Sequence, residues 1–171
     1  MTTCRNCKRS PANPPGGNPV PPEQPSGEIA TARRLPWPRE QVWGALAAPT
    51  ALAEWWGPAG FTNEFHAFEF RPGGTWRFTM RAADGATYAM DHRFLEVVAP
   101  ERLVIRHLQP GHDFTLTITL GVAGAGTLLG WSLLFDDPSE AARVRAFVAP
   151  ANEQNLDRLA AHLAKQVPPP L

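Results

Sequence analysis

Four side chains have the types that acid–base or metal chemistry requires: His66, His92, His107 and Glu96. Imidazole and carboxylate can serve as proton donor, proton acceptor or metal ligand. They fall on separate strand-like segments, with no helix or turn fixing them at the tight spacing a metal needs. The expectation is therefore no metal, with His92, His107 and Glu96 as the catalytic candidates if there is turnover. Asp91 precedes His92 and faces the opposite way on a strand, which leaves Glu96 as the better carboxylate partner. Cys4 and Cys7 have the spacing of half a zinc site, but the chain has no other cysteine, so two reduced thiols are expected there. No Gly-rich phosphate loop and no Gly-x-Ser-x-Gly elbow appears, so nucleotide chemistry, serine hydrolysis and a bound cofactor are not indicated.

The frame that must position these groups follows from composition. The chain has 171 residues, 43% of them apolar, enough for one domain with a core. Sixteen basic side chains balance sixteen acidic ones, which gives no field to draw in nucleic acid or an anionic membrane. No apolar run reaches the roughly 18–20 residues of a membrane span and no leader is apparent, so the expected location is cytoplasmic. Of nineteen prolines, nine precede residue 39. Residues 1–27 combine them with glycine and almost nothing apolar, and are predicted to be a disordered tail, with the domain over 28–167.

Within the domain, Glu28 to Leu35 reads as an edge strand. Pro38 opens a helix, Pro49 ends it, and Thr50 caps a second that stops at Gly57-Pro58. From Glu64 to Phe135 the hydrophobic period is mostly two, broken by turn signals that divide it into six strands. Asp137-Pro138-Ser139-Glu140 resembles a helix start, with Glu140 as a capping-box carboxylate, and Pro150 interrupts or kinks that helix. The order is β-α-α-β×6-α: an α+β fold in which a seven-stranded curved antiparallel sheet wraps around a long C-terminal helix, with two short helices after the first strand.

Register then selects the inward side chains, because a one-residue slip reverses every one of them. A three-residue Ala83-Asp84-Gly85 loop sets Met80 opposite Tyr88, Phe78 opposite Met90 and Trp76 opposite His92. A four-residue loop over 99–102 sets Glu96 opposite Ile105 and Phe94 opposite His107, with His92 diagonal to His107. The same parity turns His66, Phe68 and Phe70 inward. The expected pocket is walled by Trp76, Phe78, Met80, Tyr88, Met90, Ile105 and Trp131, with Trp55, Trp56 and Phe61 at its entrance. His66, His92, His107, Asn152 and Asn155 are its polar groups, and Phe147 and Leu159 add to the lining from the last helix. The bulky Trp55, Trp56 and Phe61 fit core packing better than ligand contact.

Five stretches together carry a resemblance: Pro38-Arg-Glu-Gln-Val-Trp43, Glu54-Trp-Trp-Gly-Pro58 with Gly60-Phe-Thr62, Arg71-Pro-Gly-Gly-Thr-Trp-Arg-Phe78, Phe94 to Val98 with Pro100-Glu-Arg-Leu103, and Asn155-Leu-Asp-Arg-Leu159. Over about residues 28–166 the chain resembles the START-like (SRPBCC, birch-pollen-allergen-like) superfamily, and within it the bacterial homologues of the activator of the ninety-kilodalton heat-shock ATPase. The resemblance implies a helix-grip fold with a pocket for apolar small molecules. It departs at Ala149-Pro-Ala-Asn152, where similar sequences carry a Gly-rich stretch, and the Pro-rich tail has no counterpart. The reading is a binder of an apolar small molecule, monomeric or homodimeric, with no nucleic-acid or membrane partner. A co-chaperone-like module that contacts a chaperone, and a cyclase, dehydratase or hydrolase, are the alternatives.

Overall fold

The computed structural model describes residues 26–166. The segment 1–25 with Cys4 and Cys7, and residues from Val167 onward, lie outside the described residues. The elements are β1 (Glu28–Leu35), α1 (Arg39–Ala47), α2 (Pro49–Trp55), β2 (Thr62–Phe68), β3 (Thr75–Arg81), β4 (Thr87–Val98), β5 (Arg102–His107), β6 (Phe114–Ala123), β7 (Gly126–Phe135) and α3 (Pro138–Gln166). The strands form one curved antiparallel sheet in the order β1-β7-β6-β5-β4-β3-β2. β1 and β2 are consecutive yet lie at opposite edges, and α1 and α2 carry the chain between them. α3 packs against β1, β7 and both short helices. This is the α+β helix-grip arrangement expected. Among the described residues no helix is long and apolar enough to cross a membrane.

Alternation builds the inner face. In β3, Trp76, Phe78 and Met80 are buried while Arg77 and Arg81 are exposed. Each such side chain removed from water is worth roughly 1.5–3 kcal/mol, which fixes the strand's facing against a slip. The β3–β4 register is the expected one: Trp76 pairs with His92, Phe78 with Met90 and Met80 with Tyr88. Gly85 supplies the positive φ of the intervening turn, at 89°.

Two bulges alter the register elsewhere. In β2 the pairing shifts between Phe65 and Ala67, so Phe65 packs against the core and His66 faces out. In β4 it shifts between Phe94 and Glu96. The following turn spans three residues, 99–101, rather than four. His92 therefore lies directly opposite His107, Phe94 opposite Ile105 and Glu96 opposite Val104. Leu95 is the extra residue; beyond it Val97 packs against the core and Glu96 faces solvent.

The helices differ from expectation at both prolines. Pro49 opens α2 as its first residue instead of closing α1, consistent with a missing N–H costing nothing in a first turn. α3 runs unbroken past Pro150. Asp137 caps it by accepting from the Ser139 N–H at 2.8 Å. Ser26 and Gly27 are held to β1 and β7: the Ser26 Oγ accepts from Glu28 N and the Gly27 carbonyl from Phe135 N.

Candidate functional site: a cleft between the sheet and the start of the long helix

The space between sheet and α3 divides into a filled end and an open one. At the filled end Trp55, Trp56, Trp76 and Trp131 are buried together. The Trp56 ring lies 4.8 Å from Trp76 and 5.4 Å from Trp131, and the Trp55 indole N–H donates to the Ala45 carbonyl at 3.0 Å. Leu159 and Ile105 are also fully buried. These six positions, with Phe78 among their neighbours, form the core. None of them lines the open cleft.

The open end is a cleft of about 780 Å³. Met80, Tyr88 and Met90 form one wall, Leu133, Phe114 and Phe135 the floor, and Phe147, Val148, Ala151 and Asn152 of α3 the other wall, with Pro58 and Phe61 at one end. Tyr88 and Phe147 are largely exposed at its rim. His107, Gln109, His112, Glu140 and Arg143 make its polar end. Of the residues expected to line a pocket, the cleft thus collects Phe61, Met80, Tyr88, Met90, His107, Phe147 and Asn152.

Behind the cleft wall stand two buried imidazoles. His92 Nε2 and His107 Nδ1 are 3.1 Å apart, and His107 Nε2 lies 3.3 Å from Gln109 Oε1. With the Gln109 oxygen as acceptor, His107 carries its proton on Nε2 and His92 donates from Nε2 to His107 Nδ1. His92 Nδ1 is then a bare acceptor, and it is buried with no partner. Burial, aided by the neighbouring His107, pushes the His92 imidazole down to about 3, and burial lowers that of His107 as well. Both rings are neutral at pH 7. The Trp76 and Phe78 rings lie against His92, and Phe114 against His107.

At the mouth, His112 Nδ1 is 2.6 Å from Glu140 Oε1. Arg143 donates to both Glu140 oxygens, at 2.7 and 2.6 Å. The Arg143 guanidinium, with His112 second, holds the Glu140 carboxyl down at about 2, so it is ionised. Sequence reasoning missed this trio. Glu140 was assigned to the helix cap, and its only local signal, the i to i+3 spacing from Arg143, reads as an ordinary helical ion pair.

Three expected site residues lie elsewhere. Glu96 is exposed and 3.0 Å from Arg102 Nε, because the Leu95 bulge reverses its facing. His66 is exposed with Nε2 2.8 Å from Thr79 Oγ1, owing to the bulge in β2. Asn155 is buried, but its Oδ1 accepts from the Gly57 N–H at 2.9 Å. One turn on, the Arg158 guanidinium donates to the carbonyls of Glu54, Trp56, Gly57 and Pro58 at 2.9 to 3.1 Å. Asn155 and Arg158 therefore tether the 54–58 segment to α3. Among the described residues no three His, Cys, Asp or Glu side chains converge as metal ligands.

Solved structures of several bacterial proteins share this fold. A Nitrosomonas europaea protein superposes with a TM-score of 0.76 at 20% identity, over 86% of this chain and 100% of that one. A Rhodobacter sphaeroides protein gives 0.75 at 25% identity, over 85% and 97%. A Chromobacterium violaceum protein gives 0.68 at 28% identity, over 80% and 96%. No curated protein matches the sequence. Residues 36–164 match the family model described as Activator of Hsp90 ATPase homolog 1-like protein, which spans both short helices, the sheet from β2 onward and nearly all of α3, and the chain belongs to that family.

Proposed function

We propose that this protein binds a small, predominantly apolar molecule in the cleft between the β3–β7 face and the first half of α3. The observation that carries the reading is the cleft itself: about 780 Å³, walled by Met80, Met90, Phe114, Leu133 and Val148, with a few polar groups gathered at one end. Volume and composition are those of small-molecule sites, where apolar walls supply affinity and a few polar groups set orientation. Asn152 is the orienting group. The Asn152 amide makes no hydrogen bond within the described residues, unlike Asn155, and so is available to a ligand.

The neutral fluorophore N-phenyl-1-naphthylamine tests this. Saturable one-to-one binding is expected, and Ala151→Trp, which puts an indole into the cleft, should remove it while leaving thermal unfolding unchanged. Equal binding by the wild type and the Ala151→Trp protein would place the probe elsewhere and refute the reading.

A further inference from the structure

The polar end of the cleft holds more than a ligand needs for orientation. His112 sits at its edge on the β5–β6 loop, with Nδ1 committed to Glu140 and Nε2 without a partner among the described residues. Glu140 is in turn gripped by Arg143 through both oxygens. A carboxylate kept ionised accepts only an N–H, so the His112 proton resides on Nδ1 and Nε2 presents a lone pair. The His107 ring lies edge-on to His112, with centroids 5.9 Å apart.

Building on the cleft as the binding site, we propose that its polar end is a general-base site: His112, held in one tautomer by Glu140, removes a proton from an uncharged apolar substrate seated against His107. Glu140 is a positioning residue, and Arg143 keeps it charged.

Two features select this chemistry. No Ser, Thr, Cys or Lys lines the cleft among the described residues, so covalent catalysis by those side chains has no nucleophile there. The full charges that line this end, Glu140 and Arg143, are matched to each other, which leaves no free charge among the lining residues to bind an ionic substrate.

Ring opening of 5-nitrobenzisoxazole is a suitable probe reaction, because it needs a base and no other reactant. His112 Nε2 takes the proton from C3, the C–H electron pair completes the nitrile, and the N–O bond breaks with its pair left on oxygen as a phenolate. The imidazolium then returns its proton to solvent.

At about pH 8, turnover by the full chain should exceed that of free imidazole at equal concentration. His112→Ala should lower it about 100-fold or more. Glu140→Gln should lower kcat more than KM, a split that a purely structural role would not produce. Glu96→Gln, on the outer face, should match the wild type. Binding of the probe is measured in parallel by tryptophan quenching. Binding without turnover beyond free imidazole, or turnover indifferent to His112→Ala in a folded protein, overturns the general-base proposal and leaves the binding reading standing. Failure to bind overturns both.

Discussion

The buried imidazole pair gives a stability signature that can be worked out in advance. His92 titrates near 6.5 in the unfolded chain and at about 3 in the folded protein, because burial disfavours its charged form. Between those values the unfolded state holds a proton that the folded state refuses, so stability falls as pH falls. The slope approaches about 1.4 kcal/mol per pH unit, and from pH 7.5 to 4.5 His92 alone removes about 3 kcal/mol. Glu140 does not obscure this window. Its depressed carboxyl contributes stability that is intact above the ordinary value of 4.5 and is lost only as pH falls from there toward about 2. His107, also lowered, acts in the same direction as His92. His92→Gln removes the titration while keeping an amide donor for His107 Nδ1. Urea unfolding followed from pH 7.5 to 4.5 should show a steep loss for the wild type and a loss smaller by about 3 kcal/mol for His92→Gln. Parallel curves for the two proteins would mean that His92 is not a buried neutral imidazole, and the hydrogen-bond chain built on it would fall.

Other expectations concern the tether between α3 and the 54–58 segment. Asn155→Leu strips the buried Gly57 N–H of its acceptor and should cost about 1–3 kcal/mol by chemical denaturation. Gly57→Ala should destabilise by about 1–3 kcal/mol, since φ is 92° and the new Cβ would meet the Met80 methyl at 2.5 Å. Because Met80 lines the cleft, the same variant should weaken N-phenyl-1-naphthylamine binding, which a displacement titration would reveal.

The strand count, the two short helices, the terminal helix and the β3–β4 register were legible in the sequence, because each rests on a local signal. Trp76, Phe78 and Met80 alternate with polar residues, and Gly85 can take the φ that a three-residue turn requires. Met80, Tyr88 and Met90 could be assigned to one face for that reason. Glu96 and His66 could not be placed. A bulge adds one residue without a sequence mark, and every side chain beyond it changes face. Only the tertiary structure decided that four indoles fill one end of the space and leave the other open, since residue type records bulk but not which cavity receives it. Only it joined His112 to Glu140, 28 positions apart, by bringing a loop beside the first turn of a helix. Local chemistry determines what each segment is; which segments meet depends on accumulated register and long-range packing.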